Sequence, residues 1–162
     1  MPIKDLNLAV DFYNGKLGND IEGTSTANTA SRWDLVAAYA FSRANVGAEY
    51  FSVKNFTKTA ITTGPEDKAD GYSIWGSVNA TDTVAVFARY DQAKPSKDVA
   101  SSLKDTYYNF GVSYKARKDV DVALAYKNEK VENGSISTSN GTIGGTNDGK
   151  YSEIGVWTQV KF

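Results

Sequence analysis

The 162-residue chain has no cysteine and no histidine. Without thiols there are no disulfides, no thiolate nucleophile and no cysteine-built zinc site. Without imidazole, every catalytic triad that depends on it is excluded as well. Proline is scarce, at 3 residues. No sign of charge dominates: 18 Lys and Arg against 19 Asp and Glu leave a formal −1, which argues against a nucleic-acid partner. Apolar runs such as 36–41 end far short of the roughly 20 residues that a membrane-spanning helix needs. The opening Met-Pro-Ile-Lys lacks the apolar stretch of a signal peptide, so any exported form is expected to be a mature chain or a fragment.

What is abundant points to β structure. There are 14 Gly and 10 Tyr, and apolar residues alternate with polar ones over most of the length. At 162 residues one domain spanning 1–162 is expected. In the last segment, 151–162, Ile154, Val156, Thr158, Val160 and Phe162 share one parity, and Glu153, Gly155, Trp157, Gln159 and Lys161 the other. A period of two places such sets on opposite faces of a strand. Seven further segments alternate in the same way, at 5–13, 32–42, 45–54, 71–79, 83–91, 106–115 and 120–129.

The connections alternate too. Tight polar turns at 42–45, 79–82 and 116–119 lie between long polar loops at 15–31, 55–70, 92–105 and 131–150. This rhythm predicts an antiparallel up-and-down meander with all long loops on one rim, the layout of outer-membrane barrels. Alternation does not say which face looks outward, but the aromatic residues do. Phe12, Trp33, Tyr50, Tyr72, Tyr90, Tyr108 and Tyr126 fall on the apolar face near the long-loop rim, and Phe41, Tyr114 and Phe162 near the short-turn rim. Aliphatic residues lie between them. Two aromatic belts flanking an aliphatic band match what two membrane interfaces select.

The terminal strand, ending on Phe162, resembles the C-terminal signature that the bacterial outer-membrane assembly machinery reads. The stretches Gly71-Tyr72-Ser73-Ile74-Trp75-Gly76-Ser77-Val78 and Val84-Ala85-Val86-Phe87-Ala88-Arg89-Tyr90-Asp91 look like the C-terminal strands of bacterial general and phosphate-selective-type porins. So do Tyr107-Tyr108-Asn109-Phe110-Gly111-Val112-Ser113-Tyr114-Lys115 and Asp119-Val120-Asp121-Val122-Ala123-Leu124-Ala125-Tyr126. The likeness covers roughly 70–162 and is one of strand pattern. It implies a transmembrane barrel in the bacterial outer membrane, although those porins commonly have about sixteen strands and this chain shows eight.

The inward parity collects Asp11, Arg32, Asp34, Glu49, Arg89, Asp91, Lys115, Asp121, Lys127, Glu129, Glu153 and Lys161. These are either a charged channel lining or a network of ion pairs plugging a narrow lumen; for eight strands the plug is favoured. As a lining, seven acids against five bases give a weak cation preference. Inward Phe51, Trp75, Phe87 and Trp157 are expected to fill volume rather than stack on sugars. The Asn/Gly/Ser-rich stretch 133–149 has a faint calcium-turn character but reads better as a mobile external loop. The Asn-X-Ser/Thr sequons at Asn55, Asn79, Asn133 and Asn140 are read as chance, and Asp119 and Asp121 share a face without a partner base.

The expectation is therefore an all-β, antiparallel, up-and-down transmembrane β-barrel of eight strands, with no enzyme activity, no cofactor and no metal. Its expected partners are the lipid bilayer, the assembly machinery through the C-terminal strand and, as one option, further copies of the chain. One functional class is passive diffusion of small hydrophilic solutes or ions, with the chain supplying part of a larger barrel. The second is a closed, non-conducting barrel that anchors or binds through its loops. A third, less favoured, is a soluble barrel holding an apolar ligand.

Overall fold

The computed structural model describes residues 5–16, 28–56, 65–138 and 141–161. Ten strands form among them: β1 Leu6–Gly15, β2 Ala30–Ala40, β3 Ala44–Lys54, β4 Lys68–Asn79, β5 Val84–Lys94, β6 Lys104–Arg117, β7 Val120–Glu132, β8 Ser135–Thr138, β9 Gly141–Gly144 and β10 Gly149–Val160. The eight long ones make one antiparallel sheet in the order β1-β2-β3-β4-β5-β6-β7-β10. This is the up-and-down meander that the alternation and the turn lengths predict.

Closure is not observed. β1 and β10 are the two edges of an eight-stranded sheet and do not pair with each other, so the expected closed eight-stranded barrel is corrected to an open sheet. The alternation that identifies a strand is local. Closure depends instead on the accumulated twist and stagger of all the strands, which no single segment encodes.

Several strands also run further toward the long-loop rim than alternation indicates. β4 starts at Lys68, β5 reaches Lys94, β6 starts at Lys104 and β7 runs to Glu132. These extensions carry Lys, Asp and Glu, which break the apolar pattern but still pair backbone to backbone. The stretch read as a mobile loop holds a second, two-stranded sheet, in which β8 pairs β9 with Ile136 opposite Ile143. Ile143 is buried there. Two four-residue strands are too short for their alternation to stand out in a Gly- and Ser-rich stretch. At the short-turn rim, Arg43 of one turn reaches Asp82 of the next at 2.9 Å, and the register shifts between Lys115 and Arg117 as a β-bulge.

Among the described residues no hydrophobic core sits under the sheet. Among the described residues the buried apolar side chains are Ala30, Ala125, Val131 and Ile143. The large apolar residues lie exposed on one face instead, with Val10 and Ile154 both at 74%. The other face is the crowded one and includes buried Asp34 and Ser73. This is the asymmetry of a sheet curled toward its polar side. No helix of the described residues is long and apolar enough to cross a membrane.

Candidate functional site

The apolar face is organised by register. Phe12 stands directly opposite Trp33, Tyr50 opposite Tyr72, Tyr90 opposite Tyr108, and Tyr126 opposite Ile154. Each of these pairs joins two strands linked at the long-loop rim. Across the intervening short turns the line steps by two residues toward the short-turn rim: Tyr50 faces Leu35, Tyr90 faces Ile74 and Tyr126 faces Phe110. The rings touch along this staircase, with centroids 5.2 Å apart for Trp33–Tyr50, 6.1 Å for Tyr72–Tyr90 and 6.1 Å for Tyr108–Tyr126.

Two residues beyond each member of the line, toward the long-loop rim, the same face turns polar. The residues there are Asn14, Ser31, Ser52, Asp70, Gln92, Thr106, Asn128 and Ser152, one on each strand. Higher still come ion pairs such as Lys130 with Glu132 at 2.8 Å. The boundary between apolar and polar surface is therefore sharp on all eight strands. It crosses the sheet as a diagonal.

The slope of that diagonal is a physical quantity. From Phe12 to Tyr126 there are six strand-to-strand steps, and three of them shift by two residues, so the line descends six residues in six steps. One residue of rise is about 3.3 Å and one strand spacing about 4.8 Å, so the line is level when the strands tilt by about 35°. Transmembrane barrels hold their strands at about that tilt.

At the other rim, Tyr39 and Phe41 meet edge to face with centroids 4.7 Å apart, and Tyr114 faces Val84 and Val122. Phe162, expected in this second belt, lies outside the described residues. Between the two lines run Val78, Val86, Val112, Leu124 and Val156, side by side across the strands.

On the polar face, the charged residues pair along the wall. Arg32 holds Asp34 two residues along β2 at 2.6 Å, and Arg89 holds Asp91 two residues along β5 at 2.8 Å. Lys127 reaches Glu153 on the adjacent strand at 3.7 Å, and Lys161 reaches Asp121 at 3.4 Å. Lys115 stands opposite Asp121, Glu49 opposite Ser73, and Glu129 opposite Tyr107 and Tyr151. Asp11 is placed directly opposite Asp34, a like-charge pair that Arg32 sits beside. Each of these ion pairs on the polar face is made within one strand or with its immediate neighbour. None spans the concave side.

The four inward rings take up volume, and they do so in one recurring way. Each lies along the sheet over a glycine. A Cβ at Gly71 would come 2.7 Å from the Phe51 ring, and one at Gly111 would come 2.6 Å from the Phe87 ring. At Gly47 and Gly155 it would fall inside the space of Trp75 and Trp157. A cation then lies over three of the rings: Arg32 over Phe51 at 6.0 Å, Arg89 over Trp75 at 5.8 Å and Lys127 over Trp157 at 4.1 Å. The repeated unit is glycine, ring, cation and carboxylate, built flat on the wall. Alternation alone does not disclose most of it: Gly47 and Trp75, Gly71 and Phe51, and Gly111 and Phe87 are paired by register across strands, and only Gly155 and Trp157 by a spacing of two along one strand.

The long-loop rim carries a polar knot that sequence reasoning did not single out. Asn55, Asp67 and Ser96 are all buried. Asn55 takes a left-handed backbone, φ 57°, which asparagine tolerates better than most residues. The Asn55 amide N–H donates to the Asp67 carbonyl at 2.8 Å, and the Asp67 amide donates back to Asn55 Oδ1 at 3.1 Å. The Asp67 carboxylate accepts the backbone amides of Lys68, Lys97 and Asp98 at 2.9, 3.1 and 3.0 Å. Burial pushes this carboxyl up, but hydrogen bonds from the Ser96 hydroxyl and the backbone amides together outweigh it and hold its pKa below the ordinary value.

Among the described residues no group of three or more carboxylates or other ligating side chains is placed to hold a metal ion. Asp148, in the stretch with calcium-turn character, instead accepts the Asn133 amide at 3.1 Å. Comparison with protein-family models, curated proteins and solved structures yields no match.

Proposed function

We propose that this chain forms the wall of a porin-like β-barrel in a bacterial outer membrane and allows small hydrophilic solutes or ions to diffuse passively. The apolar face meets lipid, the aromatic staircase marks the outer interface, and the polar face lines water. The observation that carries this reading is the diagonal boundary, which becomes level at a strand tilt of about 35°, close to that of transmembrane barrels. A sheet covered by protein rather than lipid has no reason to align that boundary with the tilt. The wall-directed ion pairs support a hydrated lumen, because charges left half-exposed keep the solvation that a tightly filled interior would remove.

A second reading rests on the even strand count. β1 and β10 run antiparallel, so the sheet has the polarity to curl onto itself as a narrow, non-conducting barrel whose loops carry the function. Conductance of refolded, detergent-purified chain in a planar lipid bilayer separates the two. Stable, voltage-tolerant steps support diffusion. Silence from protein shown to be inserted supports the narrow barrel.

A further inference from the structure

Resting on that membrane reading, we infer that the lumen is completed by a second copy of this chain, joined edge to edge so that β10 of each protomer pairs antiparallel with β1 of its partner in one defined register, with Val156 opposite Phe12.

The register follows from the staircase. Across every short-rim junction, the line residue of the incoming strand stands opposite the residue two positions past the line on the preceding strand. This gives Tyr50 opposite Leu35, Tyr90 opposite Ile74 and Tyr126 opposite Phe110. On β10 the line passes through Ile154, which pairs with Tyr126. A strand added beyond β10 occupies the next junction of the same type, so its line residue belongs opposite Val156. On β1 that residue is Phe12. The antiparallel pairing then sets Val10 opposite Thr158 on the apolar face and Ala9 opposite Gln159 on the polar face. The direction is right, because strand sense alternates through all eight strands and leaves β10 and β1 antiparallel.

Any other offset breaks the apolar boundary. A shift of two residues moves Phe12 off the line and brings Asn14 or Val10 to its level. A shift of one residue turns Asp11 outward among Ile154 and Val156.

The same register would serve closure of one chain upon itself, and the polar face decides against that. In a barrel of eight strands, side chains from opposite walls meet and fill the interior. Here Arg32, Arg89, Lys127 and Lys161 already have carboxylate partners on their own or adjacent strands, and the rings lie flat over glycines. Such a wall is suited to face water. Two sheets of eight strands make sixteen, the size at which barrels enclose an aqueous channel. The two identical junctions are related by a twofold axis and leave no edge exposed.

The absence of native cysteine makes the test direct. Chains carrying Val10→Cys alone are mixed with chains carrying Thr158→Cys alone, refolded together into lipid vesicles and oxidised. Ala9→Cys with Gln159→Cys is run in parallel, since one of the two opposed pairs is the closer, non-hydrogen-bonded kind that a disulfide spans. Val10→Cys with Ile154→Cys is the out-of-register control. A disulfide-linked species of twice the chain mass in an in-register mixture, and not in the control, is the expected result. Chains carrying both substitutions of a pair report self-closure: a disulfide within one chain, with no linked dimer in the mixtures, overturns the proposal. So does the absence of any link in protein whose tryptophans are quenched by brominated lipid. Chains that never enter the vesicles, by that same quenching, refute the membrane reading on which the dimer rests.

Discussion

Tyr90 faces Tyr108 directly across β5 and β6, and two residues toward the long-loop rim Gln92 faces Thr106. Within one strand pair, the surface changes over about 7 Å from aromatic to uncharged polar. That change recurs at a different height on successive hairpins, and its regular descent links a local sequence pattern to a strand tilt.

The aliphatic band between the aromatic lines should resist charge by depth. Val86, flanked by Val78 and Val112, lies well inside it. Val86→Arg is expected to lower stability in vesicles by about 2–4 kcal/mol, and Gln92→Arg, beyond the boundary, by about 0–1 kcal/mol. Reversible urea unfolding in lipid measures both. Equal costs would mean that the face does not meet a bilayer.

The ring-over-glycine contacts are steric. Gly47→Ala pushes a methyl into the Trp75 ring and is expected to cost about 1–3 kcal/mol. Adding Trp75→Ala should recover part of that loss. Gly145, with nothing within 4 Å of an added Cβ, is the control and should tolerate alanine far better. Thermal or urea unfolding of Gly47→Ala, Trp75→Ala, the double variant and Gly145→Ala completes the cycle.

Arg89 holds Asp91 at 2.8 Å and reaches the Ser73 hydroxyl at 3.1 Å. In a water-filled lumen, Arg89→Glu replaces a cation with an anion beside Asp91 and should raise the cation-to-anion permeability ratio. The reversal potential under a salt gradient reads this directly. In a plugged barrel the same change produces no current and lowers stability instead.

The Asp67 knot should make the long-loop rim sensitive to acid. Its carboxyl is held below its ordinary pKa, so its stabilisation is complete above the unfolded value of about 4 and is lost as pH falls through the lower folded value. Asp67→Asn removes the charge acceptor for the amides of Lys68, Lys97 and Asp98 and should cost about 1–3 kcal/mol at neutral pH. It should also flatten the acid dependence. Proteolysis of the 95–103 segment from pH 7 down to pH 3, in both proteins, follows the knot opening.

Much of this architecture was legible in the chain itself. Alternation located all eight long strands because a period of two is a property of a few consecutive residues. Turn composition and loop length ordered the strands into a meander, and aromatic residues at recurring positions marked the line that the register joins across the sheet. The β8–β9 hairpin and the charged ends of β4 to β7 were not legible, because backbone pairing there continues without an apolar pattern to announce it.

The sequence by itself determined which side chains share a face, the sense of the strands, and that one face is aliphatic between aromatic lines. Tertiary structure alone decided the offset of each strand against its neighbour. From that offset follow the slope of the boundary, the seating of Trp75 over Gly47 and of Phe51 over Gly71, and the gathering of three amides on Asp67. It also decided that β1 and β10 remain apart. The reason is physical: facing is set by bonds within a strand, whereas register and closure are set by hydrogen bonds and packing between residues distant in the chain, accumulated over the twist of the whole sheet.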